Sequence, residues 1–245
     1  MKNSILPIAI FIITSCNDQT VNPELEENES WVFVANEGTY GVSDGSISMI
    51  DDMGNVYETD AIGHTVQSLK VYENKLIVLI NGDHKIKIYD IKSNGLSMPG
   101  IEVSTNNSSP REMVVIDGMV YFTNWNTSDV KVFNLTTYNI DASIPVGTQP
   151  EGIIFDDNKL WVANSGENTV SEIDINTLIE TKHNVGSGPQ QLIAHNNDIY
   201  VSRTYYSDDW TTTYHGSSKI NAEILINNYG VGSACGGSIL AYEDD

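Results

Sequence analysis

Hydrophobic and polar positions alternate along most of this chain, in short runs that recur at a nearly constant interval. One set comprises Trp31-Val32-Phe33-Val34-Ala35-Asn36, Lys75-Leu76-Ile77-Val78, Met119-Val120-Tyr121-Phe122-Thr123-Asn124, Lys159-Leu160-Trp161-Val162-Ala163-Asn164 and Asp198-Ile199-Tyr200-Val201. With Val32, Leu76, Val120, Leu160 and Ile199 taken as equivalent, the spacings are 44, 44, 40 and 39 residues. A second alternating run follows, at Ser46–Asp51, Lys85–Asp90, Asp129–Asn134 and Thr169–Asp174. Period-two alternation rich in β-branched and aromatic residues predicts strands, and no segment carries a sustained helical period.

A third element recurs as a loop followed by a short strand: Asn107-Ser108-Ser109-Pro110, Gly147-Thr148-Gln149-Pro150 and Gly186-Ser187-Gly188-Pro189. Degenerate copies stand at Gly63-His64-Thr65-Val66 and Gly232-Ser233-Ala234-Cys235. Proline is tolerated where a strand begins, because its missing N–H lies outside the ladder. Each unit therefore supplies about four strands in roughly 40 residues, which predicts an all-β fold of propeller blades. One blade cannot bury both faces, so blades must stack around an axis. Five blades of about 43 residues account for Trp31–Asp245. The domain begins at the Trp31 strand and ends with Gly237-Ser238-Ile239-Leu240-Ala241-Tyr242, a match to the strand after the proline loop, so the last strand is expected to complete the first blade. A partial arc of a larger propeller is the alternative.

Leu160-Trp161-Val162-Ala163-Asn164, Thr169–Thr177 and Val185-Gly186-Ser187-Gly188-Pro189 resemble the YVTN-type propeller repeat. The opening Phe33–Gly38, running through Asp44–Ser48, also resembles the start of propeller lipoproteins from Bacteroidota. The resemblance extends over nearly all of residues 31–245. It implies a fold more than a function, because the repeated residues are structural. Some lipoproteins of that group capture cobalamin beside an outer-membrane transporter, while related propellers elsewhere are lactonases, lyases or quinoproteins.

The amino terminus fits the lipoprotein resemblance. Lys2 precedes an apolar run, Ile5 to Ile13, followed by Thr14-Ser15-Cys16. That run is far short of the ~20 residues that span a bilayer as a helix, and it has the length of a signal-peptide core. Ile13-Thr14-Ser15-Cys16 resembles a lipobox, which implies that residues 1–15 are removed and that Cys16 is lipidated, with palmitate among the attached acyl chains. Ordinary signal-peptide cleavage near Ser15 is the alternative. Residues 16–30 then carry Asp18, Glu24, Glu26, Glu27 and Glu29 with no basic residue. Such a segment cannot bury enough apolar surface to fold and reads as a solvated tether. An exported, membrane-anchored protein of the outer membrane or cell surface is expected, with the propeller domain at 31–245.

Composition narrows the partners. Lys and Arg number 12 against 33 Asp and Glu, for a net charge of −21. Attraction to phosphate needs clustered cations, so nucleic acid is excluded as a partner, as is docking on anionic lipid through a basic patch. The two cysteines make no disulfide framework, and no CxxC or HExxH spacing offers a zinc site. No cofactor is expected.

In a propeller the loops before the innermost strands converge on one mouth of the central channel. The residues just past the proline position are Gln67-Ser68, Arg111-Glu112, Glu151-Gly152, Gln190-Gln191 and Gly236-Gly237. They vary while the flanking motif repeats, so Gln67, Arg111, Glu151 and Gln190 are candidates for a shared polar pocket. An Arg111–Glu151 ion pair between blades, with hydrated glutamines, is the structural alternative. Neighbouring loops add Trp125 and Asn126 and a long insertion, Arg203–Ser218, whose Tyr205 and Trp210 are amphipathic rings suited to recognition. No catalytic residue is assigned. The expected activity is therefore capture of a small molecule, or docking on a transporter or other partner protein, without chemistry of its own. The competing expectation is a metal-dependent lactonase or lyase, using Glu151, Asn164 and His64.

Overall fold

The computed structural model describes residues 30–232 and 239–240. The predicted period-two runs form strands, and adjacent strands pair antiparallel. The first sheet holds β1 (Val32–Asn36), β2 (Ser46–Ile50) and β3 (Val56–Glu58). The second holds β4 (Val66–Tyr72), β5 (Lys75–Ile80) and β6 (Lys85–Lys92), with the short β7 (Gly95–Leu96) and β8 (Ile101–Ser104) both paired to β6. Three regular four-stranded sheets follow. They are β9 (Pro110–Ile116) to β12 (Asn139–Pro145), β13 (Pro150–Asp156) to β16 (Glu180–Asn184), and β17 (Pro189–His195) to β20 (Ile224–Val231). Between them lie β10 (Met119–Asn124), β11 (Asp129–Asn134), β14 (Lys159–Asn164), β15 (Thr169–Asp174), β18 (Asp198–Tyr206) and β19 (Thr213–Ile220). The chain is a β-propeller in which each sheet is a blade.

The proline-loop strand begins each complete blade, and β4, β9, β13 and β17 pack side by side as the inner strands. Each second strand looks like a continuous apolar run because both its faces are buried. On β5, Leu76, Val78 and Ile80 pack towards the first blade, while Ile77 and Leu79 pack towards the third. Likewise Leu160 and Val162 of β14 join the cluster shared with the third blade, and Trp161 and Ala163 join the one shared with the fifth. Alternation thus feeds two interfaces at once, which is how a blade buries what it could not bury alone. Among the described residues the first blade has three strands; the segment expected to complete it lies outside them except for Ile239 and Leu240. The signal segment, Cys16 and the tether up to Glu29 also lie outside the described residues, as does Cys235.

The Arg203–Ser218 insertion is not a loop. It extends β18 and β19 into a long hairpin, with Tyr205 opposite Tyr214 and Tyr206 opposite Thr213. Alternating aromatics and threonines there satisfy strand pairing, and only Ser207–Thr212 remains as the tip.

Candidate functional site

A repeated backbone device aims side chains at the mouth. The residue before each inner strand has positive φ: Thr65 (62°), Ser109 (53°), Gln149 (47°) and Gly188 (67°). At Gly188 a Cβ would also stand 2.1 Å from the Thr204 carbonyl oxygen, so no other residue fits. Each inner strand then carries one extra residue relative to its neighbour. The shifts fall between Val66 and Ser68, opposite Phe122/Asn124 at Arg111-Glu112, between Pro150 and Ile153, and between Pro189 and Leu192. A bulge of this kind re-aims a side chain out of the strand's own alternation. The displaced amides find partners on the neighbouring strand: Glu112 N donates to Thr123 Oγ1 (3.1 Å) and Gln191 N to Ser202 Oγ (3.1 Å).

Three successive blades are tied together at this level. Arg111 donates through Nε to both Glu151 carboxylate oxygens (3.1 Å each), through Nη2 to Glu151 Oε1 (2.6 Å) and through Nη1 to Gln67 Oε1 (2.7 Å). The side chains are 20% and 12% exposed, so this bidentate pair is largely shielded from water. Trp125 lies against the guanidinium, 4.3 Å from its ring centroid, and its Nε1 donates to Glu151 Oε2 (2.7 Å). The ion pair and the mouth are therefore one and the same feature. Gln67 serves it by holding Arg111.

Above this floor opens a cavity of about 830 Å³ between the third, fourth and fifth blades. Its lining includes Arg111, Trp125, Glu151, Gln190, Tyr205 and Trp210 of the candidate residues. Gln67 sits behind Arg111. Asn126 is turned away, donating to the Asn107 carbonyl (3.0 Å) in the proline loop of its own blade. The lining also contains Gln149, Ser165 and Ser187, which the sequence did not single out because they belong to the repeated turns. Glu167 accepts from Thr148 N (3.2 Å) and Lys182 (3.1 Å) and from the Thr169 hydroxyl; these bonds outweigh burial and hold its pKa below the ordinary glutamate value.

Deeper, Glu112 lines a smaller cavity of about 290 Å³ along the inner strands. Burial pushes its pKa up, the Glu151 charge adds to the rise, and the Ser68 hydroxyl (3.2 Å) opposes it. A third cavity, about 710 Å³, lies at the opposite ends of the fourth and fifth blades. There Glu172 is paired with Lys159 (2.5 Å) and His183 (2.7 Å) beside Trp161.

The residues of the lactonase or lyase alternative have structural employment. Asn164 is fully buried; its amide oxygen accepts from Gly147 N (3.1 Å) and its nitrogen donates to Thr169 (3.0 Å) and Ser171 (2.9 Å). His64 accepts the Gly41 N–H at Nε2 (3.1 Å), while its backbone N–H donates to Asp83 Oδ2 (3.0 Å). Among the described residues no group of three or more His, Cys, Asp or Glu side chains is arranged to hold a metal ion.

No protein-family model matches the chain, and no curated protein matches it in sequence. Solved structures do match. A provisionally assigned 6-phosphogluconolactonase from Bacteroides fragilis is similar over 82% of this chain and 67% of its own, at 12% identity and a TM-score of 0.62. One from Bacteroides uniformis is similar over 82% and 68%, at 9% identity and a TM-score of 0.61. Kuenenia stuttgartiensis hydrazine synthase is similar over 63% of this chain, at 17% identity and a TM-score of 0.52, and the chain spans 46% of that protein. At such identities the likeness is one of fold, and it agrees with the propeller architecture.

Proposed function

We propose that this protein is a lipid-anchored propeller of the outer membrane or cell surface that captures a small-molecule ligand in the Arg111–Glu151–Trp125 cavity and delivers it to an outer-membrane transporter. The observation that supports capture is convergence: candidates from three blades and one extended hairpin meet around one cavity of about 830 Å³. That volume falls in the range of small-molecule sites, roughly 300–1,000 Å³. Arg111, Glu151 and Trp125 are fixed in advance by their mutual hydrogen bonds, so ordering them costs the ligand little. The lipobox-like Ile13–Cys16 and the acidic segment after it support the anchor and the address. Cobalamin is the ligand suggested by resemblance to Bacteroidota propeller lipoproteins, and it is the first compound to assay.

The test is Arg111→Ala combined with Glu151→Ala, which removes both charges together. The folded double variant should lose capture of the ligand retained by the native protein, identified by native mass spectrometry. Unchanged affinity would remove the cavity from the reading. Cys16→Ser should release the protein from the membrane fraction, and persistence there would remove the lipid anchor.

A further inference from the structure

If this cavity is the capture site, the state of its charges restricts what it can take. Arg111 is the one Lys, Arg or His among the described lining residues; each of its three nitrogens donates to Glu151 or Gln67, and Trp125 covers one face. Among the described residues an anionic ligand would find no unpaired cation and would meet Glu151, Glu167 and Asp208. A cationic ligand meets two carboxylates that are already committed, because Glu151 is held by Arg111 and Trp125, and Glu167 by Lys182, Thr148 and Thr169; Asp208, on the hairpin tip, is the remaining acid of the lining. Beyond it the polar lining is rich in uncharged amides. The side-chain amides of Gln149, Asn168 and Gln190 line the cavity, and each offers two donors and one acceptor.

Beside these amides stands an apolar surface displayed in water at a cost. Trp210 is 76% exposed and stacks on Tyr206, itself 42% exposed, at a ring separation of 5.2 Å. Trp210 has φ of 59°, a conformation that bulky side chains seldom adopt. The hairpin tip holds it there. Asp209 accepts from Ser207 Oγ (2.6 Å), Thr211 N (3.1 Å) and Thr211 Oγ1 (2.8 Å), while Ser207 Oγ accepts from Thr212 N (3.0 Å). The strained, exposed Trp210 and its stacked partner Tyr206, beside this cavity, suit recognition more than folding.

We propose that the cavity binds a neutral saccharide, with a sugar ring seated on the Trp210–Tyr206 stack and its hydroxyls on the amides of Gln149, Asn168 and Gln190. A pyranose has an apolar C–H face and a rim of hydroxyls that both donate and accept. It matches an aromatic platform beside amides, and it needs no counter-charge.

The experiment titrates the purified full chain by calorimetry and tryptophan fluorescence with neutral gluco-, manno-, galacto- and xylo-oligosaccharides, with oligogalacturonate, with choline and with cobalamin. At least one neutral series should bind, with an affinity that changes little with salt because no charge is neutralised. Trp210→Ala should weaken that binding roughly tenfold or more, with the thermal transition unchanged. Binding of oligogalacturonate or choline in preference to every neutral sugar would overturn the proposal, as would binding of no saccharide. If cobalamin binds and is lost in the Arg111/Glu151 double variant while sugars do not bind, the saccharide assignment fails and capture by the cavity stands. If a sugar binds but neither Trp210→Ala nor the double variant affects it, both fail.

Discussion

Replacing Glu151 with alanine should cost more stability than replacing Arg111 and Glu151 together. Glu151 accepts three hydrogen bonds from Arg111 and one from Trp125, with its side chain 12% exposed. Its removal strands a guanidinium that is only 20% exposed and leaves the indole N–H without its acceptor. Breaking a fully buried pair costs about 3–5 kcal/mol, and the residual exposure of this pair reduces the figure to about 2–3 kcal/mol. The double variant leaves no unpaired charge, so it should lose only packing and the Trp125 hydrogen bond, about 1–2 kcal/mol. A double-mutant cycle by urea unfolding would then report a coupling of about 2 kcal/mol, well above the ~0.5 kcal/mol expected of independent sites. Additive single variants would refute the claim that the mouth is tied together by this pair.

Three further outcomes are expected. Glu112→Gln should stabilise the protein at neutral pH but not near pH 4. Burial raises the folded-state pKa of Glu112 above its unfolded value, so the native state holds the proton longer and stability falls as pH rises through that range; thermal transitions of both proteins across pH would show the two curves parting. Gly152→Ala should destabilise by about 1–3 kcal/mol, since the new methyl would stand 2.5 Å from the Gln190 carbonyl oxygen on the adjoining inner strand; an unchanged unfolding midpoint would contradict the packing of β13 against β17. Asn164→Leu should cost about 2–3 kcal/mol, because it orphans the Gly147 N–H beside a fully buried side chain and removes the amide donor to the Thr169 and Ser171 hydroxyls, and denaturant unfolding measures it directly.

The repeated asparagine carries a structural signal. Asn36, Asn124 and Asn164 end equivalent strands. Their amides bond the neighbouring strand, and those of Asn124 and Asn164 also reach the proline loop of their own blade. The non-repeating residues behave in the opposite way. Arg111, Glu151 and Gln190 stand where a periodic motif would have kept one residue type, and they are brought to one cavity. Asn126, two residues from the buried Asn124, shares no such placement, since its turn directs it to Asn107.

By itself the sequence determined the strands, their repeat and the blade architecture. Alternation with period two and an interval of about 40 residues are local facts, and a sheet that must bury two faces has few other ways to do so. It also marked the positions after the proline loops as different from the rest. Only the tertiary structure decided what those positions do. The bulges rotate them out of the strand alternation, a shift of one residue that leaves no trace in composition. The ring of Gln67, Arg111 and Glu151 joins residues 44 and 40 apart, and whether such charges stay free or neutralise each other depends on distances set by the stacking of blades. The Arg203–Ser218 segment likewise became a paired hairpin because its pairing partner lay within itself. Pattern is encoded locally; charge commitment and side-chain aim arise from contacts between blades.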